Sequence, residues 1–340
     1  MKKIILFLSS LAVGFAILIW IVHFIGWQKI KSAFVAFSGL EGLIIVVLSI
    51  LILAVGGLRW KEILHSQGKN VSFFSLFRIY LAGFSVTFFA PILVFGGETF
   101  RIYILKEKHS IPLSKAMASV IIDRIIELTV YSLVILGGIA FLFSKSSLSG
   151  YLEIILGAVI ILFLVGIAFF YIKTFKKQSI AKTFWRFFNP KLKNKEPFET
   201  EKEFFKFFKL KESSFWKAIL LSFLKCGLML TRVWFLIFCL GKGLNFLSSL
   251  SILSFSYLSL VIPIPAALGV HEAFQAFAFD ALGMNVSIAP VFTMIIRGAE
   301  MIVALIGAFF LFRLGVKLLG SILFKKIGSL INNGNHNVMS

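Results

Sequence analysis

The sequence P-I-L-V-F-G-G-E at residues 91–98 recurs in altered form as P-A-A-L-G-V-H-E at residues 265–272. Each copy precedes an apolar segment with the motif R-x-x-E, which begins at Arg124 in the first copy and at Arg297 in the second. Because proline lacks a backbone donor and glycine is conformationally permissive, both stretches should interrupt an apolar helix. The repetition predicts two related halves, each with a broken helix followed by a charged one.

The composition indicates a membrane protein. Hydrophobic residues make up 59% of the 340 positions and charged residues only 15%, with a mean hydropathy of +0.96. Apolar stretches long enough to cross a hydrocarbon core of about 30 Å recur along the chain. The sequence therefore predicts an all-α integral membrane protein, a polytopic helix bundle. The predicted apolar segments are 4–25, 43–58, 73–94, 116–143, 154–172, 215–240, 250–261 with 266–282, and 288–312.

The net charge of +20 is explained by the positive-inside rule without a nucleic-acid partner. The polar segment 173–217 carries 13 Lys and Arg against 5 acidic residues, so we predict a cytoplasmic loop there. The loops 59–69 and 106–115 and both termini are assigned to the same side. We expect one polytopic domain over 1–320, a cytoplasmic tail over 321–340, and residence in the plasma (inner) membrane.

Placing both loops 59–69 and 106–115 in the cytoplasm requires the apolar segment between them to enter and leave on one side. The break at 91–98 suits such a hairpin, and the break at 265–272 suits a second one of opposite sense. We therefore predict two inverted-topology repeats, 73–143 and 250–312, with a site near the membrane midplane between them.

The basic loop contains E-K-E-F-F-K-F-F-K-L-K at 201–211, and this composition is compatible with two structures. One is an amphipathic helix on an anionic leaflet, with lysines at headgroups and phenylalanines at the acyl boundary. The other is a short packed helix within a solvated loop.

Charges lie deep in the predicted spans. Arg124 is about 8 residues into its span and Arg297 about 9, so both sit roughly 12 to 14 Å deep. An unpaired charge there costs about 2.5 to 3.5 kcal/mol on insertion scales. The i,i+3 spacing pairs each arginine with the glutamate of its own motif. The carboxylates outnumber these two arginines: Glu98, Asp123, Glu127, Glu272 and Glu300.

A carboxylate surplus favours a functional site, because surplus acids can carry protons or meet a cationic headgroup while arginines bind phosphate bidentately. The alternative is that the pairs only neutralise each other and hold helices together. We predict no metal or cofactor. The predicted lipid-binding residues are Glu98, Arg124, Glu127, Glu272, Arg297 and Glu300, with Asp123 and His271 as a candidate proton relay.

Other polar residues in apolar segments receive simpler interpretations. Arg101 and Tyr103 should mark the membrane interface, and Arg232 is a deep arginine without a visible partner. Cys226 and Cys239 share one apolar segment, so they are expected to be core residues rather than zinc ligands or a disulfide.

Three motifs resemble a known family, the flippase-like transmembrane region of lysylphosphatidylglycerol synthases. They are G-G-E-x-x-R at 96–101, S-K-A-M-A-S-V-I-I-D-R at 114–124, and P-x-x-x-G-V-x-E at 265–272. The resemblance covers roughly residues 4–312. It implies a stand-alone flippase-like unit, because the chain ends at Ser340 without the aminoacyltransferase domain of bifunctional members.

The leading hypothesis is an inner-membrane translocator of a phospholipid, an aminoacylated phospholipid or a polyprenyl-phosphate carrier. Its partners would be membrane lipids with anionic or phosphate-bearing headgroups. Two alternatives stay open: a membrane enzyme acting on lipid-linked sugars or lipid phosphates, and an accessory subunit of an envelope-lipid pathway.

Overall fold

The computed structural model describes residues 39–89, 95–145, 150–176, 199–208, 213–240, 245–259, 270–286 and 288–336. The predicted first span at 4–25 lies outside these residues, as do the proline-containing parts of both breaks and most of the basic loop. Within the described residues the chain forms ten helices and no strand. They are α1 (Leu40–Ser66), α2 (Phe73–Phe89), α3 (Gly96–His109), α4 (Leu113–Lys145), α5 (Gly150–Phe175), α6 (Glu199–Phe207), α7 (Ser213–Cys239), α8 (Ser248–Ser259), α9 (Val270–Ala281) and α10 (Ile288–His336).

Five of these helices are long and apolar enough to cross a membrane: α1, α4, α5, α7 and α10. The α2 helix is apolar but shorter, at 17 residues. Among the described side chains of α5, only Leu156 and Thr174 are buried by protein and the others are exposed or partly buried, as expected for a helix that faces lipid on one side. The predicted polytopic, all-helical membrane fold is confirmed.

Two boundaries differ from the prediction. The α1 helix continues through Arg59 to Ser66, so Arg59 is a buried helical residue and not the start of a loop. Burial is possible because carboxylates of α4 neutralise its guanidinium. The α10 helix continues to His336, beyond the predicted end of the apolar segment at 312.

The helices of the two halves pack in a reciprocal order. The α1 helix packs along α7. The first helix of each predicted repeat packs on the long helix of the other repeat, α2 on α10 and α8 on α4. Within each repeat, α2 packs on α3 and α8 on α9. The core is therefore built from contacts between the halves.

The first hairpin starts and finishes at one end of the bundle. Ser75, in the first turn of α2, is hydrogen-bonded to His109 at the end of α3, with 3.0 Å between Oγ and Nε2. Lys115, in the first turn of α4, donates to the carbonyl oxygen of Gln67 just after α1 at 2.8 Å. The basic segments 59–69 and 106–115 therefore meet at this end.

The packing of α6 distinguishes between the two structures predicted for the Phe-rich segment. Phe204, Phe207 and Phe208 are buried in protein, where they pack with apolar residues of α4 and α7. Side chains buried in this way cannot insert into a lipid leaflet, so Glu199–Phe207 forms the short packed helix. Residues 209–211 of the predicted segment lie outside the described residues. Lys115 and Glu203, 3.7 Å apart, add an ion pair between α4 and α6.

Candidate functional site

The first charge centre is built around the R-x-x-E motif of α4. The Arg124 Nη1 donates to Glu127 Oε2 at 2.6 Å, which is the contact expected from the i,i+3 spacing. Another Arg124 nitrogen pairs with Glu98 in the first turn of α3. Three of the predicted site residues are thus in direct contact. The Arg124 side chain remains 38% exposed, whereas Glu98 is 10% and Glu127 3% exposed.

Asp123, the neighbour of Arg124 in sequence, is fully buried between two arginines. Arg59 Nε lies 2.7 Å from one carboxylate oxygen and Arg101 Nη2 lies 2.9 Å from the other. Arg101, which was expected at the membrane interface, is thus buried inside the protein as a member of the ion network. Its guanidinium is buried against the rings of Trp60 and Tyr80, 4.0 and 4.5 Å from their centroids. The ion pair and the ring faces together replace the water that Arg101 loses.

Glu127 connects α4 to α7 and, through a tyrosine pair, to α8. Lys225 of α7 is buried and its ammonium group contacts Glu127 Oε1. Tyr131 donates to the same oxygen at 3.1 Å and stacks on Tyr257 with 4.0 Å between ring centroids. Sequence reasoning missed Lys225, although a lone lysine in the apolar run S-F-L-K-C-G was a detectable signal.

The five acids outnumber the two motif arginines, as predicted, but this surplus disappears once the cations of other helices are included. In the described part of the chain, the first centre contains four cations, Arg59, Arg101, Arg124 and Lys225, against the three acids Glu98, Asp123 and Glu127. The sequence-based count omitted cations on helices other than those with the R-x-x-E motif. Those cations come from α1, α3 and α7, where only tertiary packing brings them to the acids of α3 and α4.

The second charge centre is arranged differently. Glu300 Oε1 lies 3.2 Å from Arg232 Nη2 on α7, which supplies the partner of Arg232 that the sequence did not reveal. The predicted pair between Arg297 and Glu300 is not formed, and Arg297 is half-buried with no ion pair to any other described residue. His271, at the start of α9, is 9% exposed and its Nδ1 has no hydrogen-bond partner.

Glu272 follows His271 in the first turn of α9 and is half-buried. The α9 helix packs on α10, which carries Arg297 and Glu300, so the predicted residues of the second half lie on two neighbouring helices. The relay role of Asp123 and His271 stays a prediction. The two guanidinium groups around Asp123 cannot accept a proton.

Two hydrogen bonds tie the centres together across α1 and α7. Arg59 Nη1 donates to Ser222 Oγ at 3.3 Å, and Arg232 Nη1 donates to Ser49 Oγ at 2.9 Å. The serine precedes the arginine by ten positions in both helices. Arg59, the later residue in α1, therefore meets Ser222, the earlier residue in α7, while Arg232, the later residue in α7, meets Ser49, the earlier residue in α1. The two helices thus run antiparallel.

Each of these arginines also reaches the glutamate of an R-x-x-E motif. Arg59 Nη2 lies 3.7 Å from Glu127 Oε1, and Arg232 Nη2 lies 3.2 Å from Glu300 Oε1. The two halves thus share a Ser–Arg–Glu arrangement. In the described ranges, no cluster of three or more His, Cys, Asp or Glu could hold a metal ion.

A family profile described as "Lysylphosphatidylglycerol synthase TM region" matches residues 7–308. The chain belongs to this family. Among curated proteins, it is similar to the UPF0104 membrane protein of Methanocaldococcus jannaschii, with 24% identity over 84% of this chain and 88% of the relative. It is also similar to the UPF0104 membrane protein of Pyrococcus horikoshii, with 28% identity over 76% and 81% of the two chains. No solved structure matches it significantly.

The part of this chain that matches the lysylphosphatidylglycerol synthase TM family contains both charge centres. It includes the serines and arginines that join α1 to α7 and both R-x-x-E motifs. The region shared with the family is therefore the helical bundle in which the candidate site lies.

Proposed function

We propose that this protein is a lipid translocator of the plasma (inner) membrane, with both termini in the cytoplasm. The observation that carries the proposal is the exposure of Arg124. A guanidinium that only held helices together would be sealed like those of Arg59 and Arg101. Arg124 instead keeps 38% of its side chain uncovered beside two nearly buried carboxylates, so a polar group from outside the bundle can reach it.

The chemistry of the first centre suits a lipid headgroup. An arginine binds phosphate through two parallel hydrogen bonds. Glu98 adds an acceptor, because its Oε2 is buried without a hydrogen-bond partner while Oε1 contacts Arg124. A buried unsatisfied oxygen is costly, and a proton or a cationic headgroup would satisfy it.

The reciprocal packing supports movement between leaflets. Each half contributes one R-x-x-E motif, and the first helix of each hairpin packs on the other half. A site between two such halves can open to either side when one half rocks against the other. The family description names the synthase of a phospholipid, and this relationship favours a phospholipid or a related phosphate-bearing lipid as cargo.

The direct test is translocation in reconstituted vesicles. The full chain is inserted into liposomes that contain one fluorescent lipid each, from a panel of phospholipids, aminoacyl-phospholipids and polyprenyl phosphates. Chemical quenching of the outer leaflet then measures movement. We expect at least one lipid to move about tenfold faster than in protein-free vesicles, which corresponds to a barrier lowered by about 1.4 kcal/mol.

The matched variants are Glu98→Gln and Glu272→Gln, with Glu107→Gln at an exposed position of α3 as control. Loss of charge with retained shape should leave expression intact and reduce lipid movement about tenfold or more. If the two glutamates only cap helices, unfolding free energy should fall by about 1 kcal/mol with transport preserved. Transport preserved in both variants would remove the site. Chemical conversion of a lipid, seen by mass spectrometry, would favour the membrane-enzyme alternative.

A further inference from the structure

A cavity of about 290 Å³ lies at the end of the bundle where α1 passes into α2. Apart from one valine its lining is basic or polar, and consists of Lys61, His65, Lys69, Asn70, Val71 and Ser72. Among the described residues no carboxylate lines it, and neither do the members of the two charge centres. The cavity therefore combines positive charge with hydrogen-bonding groups, apart from the site of the proposed function.

The turn after α1 builds this cavity. The Gly68 N–H donates to the His65 carbonyl oxygen at 2.9 Å, and the Lys69 N–H donates to that of Leu64 at 3.0 Å. Gly68 has a φ of 72°, and this pair of bonds around a left-handed glycine closes the helix in a Schellman motif. Val71 then packs in the same core cluster as Leu64. The backbone therefore holds the polar residues of the turn beside the last turns of α1, whatever occupies the cavity.

The two lysines of the cavity lack a counter-ion. Neither Lys61 nor Lys69 forms an ion pair with another described residue. Glu62, the neighbour of Lys61 in sequence, lies instead 4.0 Å from the Lys217 ammonium group. Both cavity lysines are half-buried, whereas Lys106 at the same end of the bundle is exposed. A lysine that serves only the positive-inside rule can keep its ammonium group in water, so two half-buried ones around one cavity indicate an anion site.

The start of α2 adds backbone donors to the cavity wall. The Ser72 carbonyl oxygen accepts the N–H groups of Ser75 and Leu76, both at 3.1 Å. The earlier N–H groups of a helix have no acceptor within it, and the helix dipole there favours an anion. Phe74 in this first turn is 71% exposed. An anion in the cavity would thus lie close to an apolar surface, as the phosphate of a lipid does at its acyl boundary.

We propose that this cavity is a second ligand site, which binds a phosphate group through the ammonium groups of Lys61 and Lys69 with Asn70 as a neutral donor. Two sources share this chemistry: the headgroup of an anionic lipid in the adjacent leaflet, and free phosphate. The exposed Phe74 favours the lipid. Occupation of the site would anchor the turn between α1 and α2 at the leaflet surface, whether or not the bundle moves lipid.

The test reads the cavity itself, so that a ligand bound at the charge centres does not register. In full-length protein without Cys226 and Cys239, Ser72→Cys places a thiol on the cavity wall, and its labelling rate with a neutral maleimide is measured in nanodiscs. The nanodiscs contain phosphatidylcholine alone, or phosphatidylcholine partly replaced by phosphatidic acid. In a third arm, inorganic phosphate is added to the phosphatidylcholine nanodiscs. Lys106→Cys, at an exposed position of the same end, reports any general effect of surface charge.

We expect phosphatidic acid to slow the labelling of Ser72→Cys about tenfold by occupying the cavity, and that of Lys106→Cys less than about twofold. Protection by phosphatidic acid where inorganic phosphate gives none supports the site and identifies a lipid as its ligand. Protection by inorganic phosphate in phosphatidylcholine nanodiscs also supports the site and identifies a soluble anion. No protection by either would overturn the proposal.

The residues are tested by adding substitutions to the Ser72→Cys protein. Lys61→Gln with Lys69→Gln should remove the protection, because the phosphate loses both cationic partners. The matched control is Lys106→Gln with Lys176→Gln, which removes the same charge from exposed positions and should leave the protection unchanged. Protection that survives the first pair, or that falls equally in the control pair, would overturn the site.

A second variant guards against loss of fold in the lysine pair. Asn70→Asp nearly keeps the side-chain shape at an exposed position, so the thermal midpoint should stay within about 2 °C of the original. Its carboxylate repels phosphate, so protection should fall about tenfold. Full protection in this variant would count against the site. Protection that persists in a protein unable to move lipid would keep this site and remove the proposed translocation.

Discussion

At the scale of single residues, the first charge centre contains buried ions whose cost is offset only if each has partners. Asp123 has two arginines, one from α1 and one from α3. Arg101 adds the faces of Trp60 and Tyr80. A buried ion pair contributes little net stability when complete, but removal of one member leaves a charge stranded in a medium that cannot solvate it. These residues should therefore be intolerant of substitution whatever the function of the protein.

The sharpest residue-scale prediction concerns Asp123→Asn. Two guanidinium groups would lose their counter-ion, so the free energy of unfolding should fall by about 3 to 5 kcal/mol. The thermal midpoint and the folded yield in detergent measure this change. The control is Glu107→Gln, the corresponding acid-to-amide change at an exposed site on α3, which should have almost no effect. An Asp123→Asn protein as stable as the control would contradict the ion network described here.

The sequence predicted some of these contacts and not others, for a physical reason. The Arg124–Glu127 contact is local, because i,i+3 spacing on one helix fixes which side chains meet. The Arg59–Asp123 contact joins residues 64 positions apart and the Lys225–Glu127 contact joins residues 98 positions apart. Both depend on which helices become neighbours. Arg297 shows the same limit, because the tertiary contact of Glu300 with Arg232 overrides the local spacing.

At the scale of helices, the two halves approach each other closely where a long helix carries glycine. On α4, a Cβ at Gly138 would lie 2.7 Å from the carbonyl oxygen of Leu250 on α8. Ser251 of α8 donates to the Gly138 carbonyl oxygen at 2.8 Å, and Ser254 donates to that of Val134 at 2.6 Å. Small residues and serine hydroxyls are what membrane helices use in place of a hydrophobic driving force.

A Gly138→Leu substitution tests this contact between α4 and α8. The larger side chain should push the helices apart and cost about 1 to 3 kcal/mol or more, seen as a lower thermal midpoint and less folded protein. Gly157→Leu is the control, because position 157 on α5 faces open space and leucine suits a lipid-facing surface. Equal stability of the two variants would show that α8 does not pack on α4 in this manner.

The helices themselves were largely predictable, while their ends were not. Apolar runs located each long helix, because a segment that crosses the hydrocarbon core needs apolar side chains and satisfies its backbone hydrogen bonds as a helix. The end of α1 was misplaced because Arg59 and Lys61 resemble the start of a cytoplasmic loop. The choice between a packed and a leaflet-bound α6 needed tertiary information, since either environment suits buried phenylalanines beside exposed lysines.

At the scale of the whole molecule, the contacts between the halves form a reciprocal set. Arg59 reaches Ser222 and Arg232 reaches Ser49, α1 and α7 run antiparallel, and each hairpin packs on the long helix of the other half. A two-fold axis perpendicular to spanning helices would produce such a set. The inverted topology stays a prediction, and this arrangement supports it.

The whole-molecule prediction is the sidedness of four positions. The structure brings the ends of α1 and α3 to the starts of α2 and α4, so the loops with Lys69 and Lys108 should face one compartment, and the positive-inside rule makes it the cytoplasm. Lys145, at the end of α4, and Asn245, between α7 and α8, should face outside.

In a background without Cys226 and Cys239, one cysteine is placed at each position and labelled with an impermeant maleimide in intact cells and in inside-out vesicles. Lys69→Cys and Lys108→Cys should react only in the vesicles, and Lys145→Cys and Asn245→Cys only in the cells. Labelling of Lys69→Cys and Lys108→Cys from opposite sides would mean that the first hairpin crosses the membrane, and the inverted relation of the halves would then be lost.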